Sequence, residues 1–450
     1  MAASLPQRYP INEPDKSRRA TVPADLRCRA QSIPVPARST KNIALIRVPD
    51  GEAQAFRHLA HSIISRTLAH ETEYHRMQRP KLDQCDWKLL KRHSDLSIYK
   101  RRVAKQQGQG HATRPSVVCV GSIPGQLEDI LFGLHAKTRD EMQVVLPFLS
   151  KGYVDCALLA KLEEGSLTDP YRQLALKWHR SDAFSEAKLL KDRDLCILES
   201  MGISTDAQGE RYAYYLMQSV DYTGCPPPLE TSDVIRANVM VCCIYRQLPG
   251  HHFVNVYAKG MFDLGGGVPN YLVYNTSSSL IFSVLSATDC AEAKRLTLLA
   301  LKRAECSVYS STDELSSFDL EAVEDTSEST RSGVSDSTST VSSGIAAMSP
   351  SISRLLFTGS WTTGQLKRRQ SGATSCCVCS KRPVLASITG ATHRTCGVCL
   401  RGVCSKCYVK RQLLAHQQSV PVVCCKSCLL KAKQLQVSPL DPCPTLSIER

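Results

Sequence analysis

The chain has no run of 18 or more apolar residues, so no segment is long enough to cross a bilayer as a helix. It also has no positively charged start leading into a short apolar stretch. A secretory leader, and the disulfides that go with secretion, are therefore not expected. Aromatic residues are scarce at 6%, and from Ser310 to Gly344 Phe318 stands alone. Acidic residues vanish altogether between Lys367 and Lys433, a stretch holding 13 Lys or Arg. Catalytic signatures are missing as well. Gly265-Gly266-Gly267 has neither the lysine of a phosphate-binding loop nor dinucleotide-binding spacing. No nucleophile elbow and no paired-histidine metalloprotease helix occurs. His251-His252, beside Pro249-Gly250, reads as a surface turn. A non-enzymatic protein is expected.

What is present divides the 450 residues into five parts. Residues 1–40 are rich in Pro, Arg and Ser and read as a disordered basic arm. Glu13, Asp15 and Asp25, with Pro6, Pro10 and Pro14, argue against a mitochondrial leader there. Residues 41–306 carry mixed periodicities and read as globular. Residues 307–375 are a Ser/Thr/acidic linker, too polar to bury the surface that would offset ordering entropy. Residues 376–433 form a cysteine-rich module, and 434–450 a tail. The formal charge of +14 suits nucleic acid, an anionic membrane or solubility alone, so its location decides.

Within 41–306, Phe56, Leu59, Ala60, Ile63, Ile64 and Leu68 recur at helical spacing. Strand-like runs follow at Trp87–Leu90, Leu96–Tyr99 and Ser116–Gly121. Pro124 is expected to open a helix through Ile130, Leu131 and Leu134. Further strands are expected over Tyr153–Leu162, Gln173–His179, Leu195–Ile203, Arg211–Tyr222, Ala237–Gln247 and Phe253–Lys259. A closing helix from about Ser286 to Arg303 presents Ala291, Leu296, Leu299 and Ala300. Short, turn-punctuated strands with a helix at each end predict an α+β fold, with an antiparallel sheet wrapped around the last helix.

The cysteines separate by place. Ten of the 21 lie scattered before residue 307 and read as small buried hydrophobes in a reducing compartment. Eleven lie between Cys376 and Cys443, and eight of these form four CxxC pairs: Cys376/Cys379, Cys396/Cys399, Cys404/Cys407 and Cys425/Cys428. The gaps between pairs are 16, 4 and 17 residues. A CxxC lets two thiolates converge on one tetrahedral zinc. The module has too few large apolar residues for a core, so two zinc ions are expected to supply its folding energy. The four-residue gap favours interleaving, with the first pair sharing a zinc with the third and the second with the fourth. Cys377 and Cys424 each adjoin a chosen ligand, and the two-residue spacing selects Cys376 and Cys425.

Two family resemblances follow. The order of elements in 41–306 resembles the START lipid-binding fold. The opening hairpin Trp87 to Leu96-Ser97-Ile98-Tyr99-Lys100-Arg101, the step Val120-Gly121-Ser122-Ile123-Pro124 and the late hairpin at Pro249-Gly250 carry the likeness. It implies a helix-grip domain enclosing one apolar ligand, such as a sterol or phospholipid, or a scaffold with no ligand. The cysteine order is similar to the FYVE finger, a small two-zinc cross-brace that binds phosphatidylinositol 3-phosphate on endosomal membranes. RING and PHD fingers interleave too, but usually place a His among their ligands.

The stretch matching the FYVE phosphate site is Thr392-His393-Arg394-Thr395-Cys396-Gly397. Gly397 and Val423 stand where that family has arginine. The likeness therefore lies in the zinc scaffold more than in the headgroup-reading residues. Candidates for membrane or headgroup contact are Lys381, Arg382, His393, Arg394 and Arg401, with Val384 and Leu385 as a small apolar tip. The resulting expectation is a cytoplasmic, peripheral membrane protein, placed by the FYVE likeness on endosomes. Its partners would be an anionic or phosphoinositide surface and a lipid in the START-like domain. The alternatives are a protein-interaction adaptor and a RING-like ubiquitin ligase. Nucleic acid is disfavoured, because Tyr408 is the module's single aromatic.

Overall fold

A computed structural model describes residues 45–76, 82–102, 114–150, 152–182, 191–223, 225, 234–247, 249–312, 360–362, 375–382 and 393–449. The expected arm, most of the expected linker, and Val384 and Leu385 lie outside these residues. The chain resolves into two units. The first comprises Met1–Arg295, Gln412–Pro421 and Ala432–Thr445; the second comprises Leu296–Arg411, Val422–Lys431 and Leu446–Arg450.

The first unit opens with α1 (Asp50–Arg76), which buries Ala53, Phe56, Ala60 and Ile64 at three- and four-residue spacing. Asp50 and Glu52 in its first turn and His75 and Arg76 in its last complement the helix dipole. The strands are β1 (Trp87–His93), β2 (Leu96–Arg101), β3 (Ser116–Pro124), β4 (Tyr153–Glu163), β5 (Gln173–Ser181), β6 (Asp192–Thr205), β7 (Arg211–Ser219), β8 (Val234–Arg236), β9 (Asn238–Gln247) and β10 (Phe253–Asp263). They form one sheet in the order β1-β2-β3-β10-β9-β7-β6-β5-β4, antiparallel at each step. The short β8 runs parallel to β6 off this path. The expected α+β antiparallel architecture is thus present.

Both faces of the sheet are covered, which is why β9 reads Val-Met-Val-Cys-Cys-Ile-Tyr with little polar alternation. One face packs Leu176, Leu198, Leu216 and Ile244 against Phe56, Ala60 and Ile64 of α1. The other meets α2 (Leu127–Leu134), α4 (Asn270–Leu285) and the start of α5 (Ala287–Thr312), through Leu131, Ile281, Leu285 and Ala291. Each such fully buried side chain contributes about 1.5–3 kcal/mol.

Three elements depart from the sequence reading. Pro124 closes β3, and α2 begins only at Leu127, where Asp129 accepts from the Gln126 N–H at 3.2 Å. An unexpected α3 (Arg139–Leu149) follows, capped by Thr138, whose hydroxyl accepts from the Glu141 N–H at 3.2 Å. The expected closing helix is present as α5, which continues to Thr312 into the segment expected as linker, and an unexpected α4 precedes it. Gly121, late in β3, is required by its conformation. It sits at φ 145°, and a Cβ there would lie 2.0 Å from the Asp95 carbonyl oxygen.

Several buried polar groups inside this unit pair with one another. The Lys177 ammonium donates to the Ala136 carbonyl at 2.9 Å and pairs with Glu199, which also accepts from the Tyr215 hydroxyl at 3.0 Å. Lys294 donates to the Phe132 and His135 carbonyls at 2.6 and 2.8 Å, satisfying the open end of α2. Burial, then Lys294, Lys177 and Lys137, push His135 down to about 3, so its imidazole is neutral.

Distant chain completes the unit. Lys137 donates to the carbonyls of Pro439, Leu440 and Asp441. The Cys443 N–H donates to Glu141 at 3.2 Å, and Leu414 packs with Val144 and Ala293.

Candidate metal centre

The second unit holds the cysteine pairs, and its turns explain how they converge. Cys376–Cys379 and Cys396–Cys399 adopt the same knuckle. In each, the N–H of the residue after the second cysteine donates to the carbonyl of the first: Ser380 to Cys376 at 2.8 Å, Leu400 to Cys396 at 2.9 Å. Each first cysteine then donates onward, Cys376 to the Lys381 carbonyl and Cys396 to the Arg401 carbonyl, both at 2.9 Å. Closing such a turn requires a left-handed residue, and Ser380 (φ 57°) and Leu400 (φ 60°) take that conformation.

The third pair follows β11 (Arg394–Thr395) and β12 (Gly402–Val403), which pair with each other. The fourth lies at the start of α6 (Lys426–Gln434), reached by the hairpin β13 (Tyr408–Ala415) and β14 (Gln418–Cys425). Helix N-terminal N–H groups favour thiolate there.

These turns bring the eight thiols into two groups, Cys376/Cys379/Cys404/Cys407 and Cys396/Cys399/Cys425/Cys428. Within each group the sulfurs lie within 4.8 Å of one another. Cys379 and Cys404 sulfurs are 3.7 Å apart, and those of Cys399 and Cys425 are 3.9 Å apart. A tetrahedron with 2.3 Å metal–sulfur bonds has edges of about 3.8 Å. Each cluster could hold a metal ion, with the first pair joined to the third and the second to the fourth.

Backbone N–H groups point at the sulfurs as they would at thiolates. Cys376 Sγ accepts from Cys404 at 3.4 Å and Val378 at 3.5 Å, and Cys396 Sγ accepts from Cys425 at 3.3 Å. Burial pushes the Cys376 thiol up, but these N–H groups outweigh it and bring it down to about 6. Contacts from Cys399, Cys424 and Cys428 hold Cys396 well below the usual thiol range. Their neighbours move the other way. Cys404 pushes Cys407 up to about 12, and Cys396 raises Cys428. Crowded thiols cannot all ionise without a cation between them.

The basic candidates take separate positions. His393 Nε2 donates to the Lys381 carbonyl at 2.7 Å. Arg394 lies over the Tyr408 ring, 5.3 Å from its centroid. Arg401 is bonded to the Cys399 thiol, which raises its own pKa. Lys381, Arg382, Arg394 and Arg401 are exposed. Gly397 has a steric reason to be there, since a Cβ would lie 2.7 Å from Cβ of Val422. Two features escaped the sequence reading. Val378 inside the first knuckle is 37% exposed, and Leu430 on α6 is 60% exposed. The first was legible only as an x of a CxxC.

The first unit has a cavity of about 310 Å³ where charged side chains such as Lys137, Glu163 and Arg172 meet apolar ones, Leu158, Ala175 and Leu440. Its apolar interior is the covered sheet face, where Tyr245 is buried with the Cys243 thiol as polar neighbour.

No protein-family model matches the chain, and no curated protein matches it. Its structural neighbours are StAR-related lipid transfer domains. Human StAR-related lipid transfer protein 5 aligns with 16% identity over 52% of this chain and 97% of its own, at a TM-score of 0.34. Human STARD10 aligns with 15% identity over 54% of this chain and 83% of its own, at a TM-score of 0.33. The human StarD13 lipid transfer and protein localization domain gives 12%, 49% and 91%, at 0.30. No described helix is long and apolar enough to cross a membrane.

Proposed function

We propose that the chain is a non-enzymatic, peripheral membrane protein. A START-like domain holds a lipid or serves as a scaffold, and a FYVE-type zinc finger contacts anionic membrane. The observation that carries this reading is the pair of four-cysteine clusters within a stretch that has 13 basic and no acidic residues. The eight clustered cysteines would hold two zinc ions, whose role is to fold the module. Each tetrathiolate site carries about −2, and the remaining charge of the module is positive. Lys381, Arg382, Arg394 and Arg401 would meet the headgroups, beside His393. Each basic residue near an anionic surface adds about 1 kcal/mol. Val378 and Leu430 are described apolar side chains that could enter the interface.

A lipid in the sheet unit would lie between the sheet face carrying Met201, Tyr215 and Tyr245 and the helices α4 and α5. Co-sedimentation of the full chain with vesicles tests the membrane reading. Binding to phosphatidylinositol 3-phosphate or phosphatidylserine vesicles and not to phosphatidylcholine alone is the expected result. Equal partition into all three would sink it. Native mass spectrometry of the full chain purified from cells tests the lipid reading, which fails if no extractable lipid accompanies the protein.

A further inference from the structure

The finger is not the one basic surface. The hairpin of β1 and β2 forms the edge of the sheet, and its register sets Lys88 directly opposite Lys100. Like charges facing each other across an antiparallel pair are unfavourable. Lys91 pairs with Ile98, placing it on the same face as Lys100. On that face Lys100 lies 4.9 Å from the Tyr274 ring and Lys91 lies 5.5 Å from the Phe282 ring, both on α4. Two aromatic seats on α4 therefore fix Lys91 and Lys100, with Lys88 across the strand pair from Lys100.

Arg92, paired with Ser97, and Arg101, paired with Trp87, extend the charge to the opposite face of the same edge. Asp83, Asp86 and Asp95 are the acids of this segment. Among the described residues, none of them forms a salt bridge with the three lysines. A cross-strand lysine pair with no counter-charge calls for an external anion.

The occupant follows from what else the edge offers. A β-bulge at Leu90 and the exposed lysines block addition of another strand. Leu89, 43% exposed, shares the opposite face with Arg92 and Arg101, and Tyr271 at the start of α4 is 71% exposed. An aliphatic side chain gains nothing from a polyanion in water but gains from the headgroup–acyl boundary, where basic and apolar side chains act together. The geometry points to the β1–β2 edge as a second membrane contact, on the sheet unit itself, which takes the phosphate and carboxylate headgroups of an anionic bilayer. This rests on the membrane reading above and adds a site independent of the zinc clusters.

The test uses the full chain and phosphatidylcholine vesicles with or without phosphatidylserine. Three proteins are compared: wild type, Lys88→Gln/Lys91→Gln/Lys100→Gln, and the finger variant Arg382→Gln/Arg394→Gln. Each lysine near the anionic surface is worth about fivefold in partition, so the lysine triple should bind about a hundredfold more weakly. Its zinc content and near-ultraviolet circular dichroism should match wild type, since these side chains are not core. The finger variant should lose affinity separately, and Leu89→Ala should weaken binding further at high salt. Wild-type partition in the lysine triple, with loss in the finger variant, overturns the second contact and leaves the membrane reading intact. Failure of wild type itself to prefer phosphatidylserine overturns both. If a DNA duplex strips wild type from the vesicles and ignores the lysine triple, the edge is a nucleic-acid site and the bilayer assignment falls.

Discussion

The same residue does opposite work in the two units. In the sheet unit Cys119, Cys242 and Cys290 are fully buried among apolar side chains, and burial pushes each thiol up to about 12. They behave as small hydrophobes and need no partner. In the finger unit Cys376 is as inaccessible, yet backbone N–H groups bring it down to about 6. Burial alone does not decide what a cysteine is for; the direction of the neighbouring dipoles does. One unit is held by apolar contact across a sheet, and the other gathers its sulfurs into two groups of four, each of which could hold a metal ion.

Removing metal tests that contrast hardest. Structural zinc contributes about 10–16 kcal/mol in small fingers, so a strong chelator should unfold the finger and release two zincs per chain. Amide exchange should rise in residues 393–411 while the strands of the sheet stay protected. Equal loss of protection in both would break the comparison. Next in size is Lys177→Met, which strands Glu199 without its cation. Removing one partner of a buried pair costs about 3–5 kcal/mol, to be read as a shift in urea midpoint with zinc content unchanged.

Acid should act on the sheet unit through His135. Its folded pKa of about 3 lies below the unfolded value of 6.5, so the unfolded chain binds the extra proton between those limits. Stability is complete above the unfolded value and falls by up to about 1.4 kcal/mol per pH unit as pH drops through the window. His135→Gln should flatten that slope in pH-dependent melting, and an unchanged slope would assign it elsewhere. The smallest effect is expected from Thr138→Ala, which removes the cap of α3 at about 1 kcal/mol. A melting temperature identical to wild type would show that the cap is dispensable.

How much of this was legible depended on whether the signal is local. The CxxC spacing is local, so the cysteines could be paired from the sequence, and the left-handed Ser380 and Leu400 merely complete turns already implied. The strands were legible because β-branched and apolar runs end at turn residues. The helix α4 was not. Asn270–Leu285 carries five serine and threonine residues in its middle and end, which suggest loop. The structure satisfies them within the helix: Ser277 donates to the Val273 carbonyl at 2.6 Å and Ser278 to that of Tyr274 at 2.9 Å. Pro124 misled for a related reason, since it is tolerated at the end of a strand as well as at a helix start. The lysine line beside α4 needed strand register, which no single-strand pattern contains.

The residues after the finger read as a tail, yet Ala432–Thr445 belongs to the sheet unit and lends its carbonyls to Lys137 and its amide to Glu141. The sheet unit is therefore completed by a segment that follows the finger in the chain. Truncation after residue 306 is a core deletion in disguise: it withdraws the oxygens around a half-buried ammonium and the Leu414 methyls that cover Val144. Any nascent chain that stalls within the finger would expose the same gap.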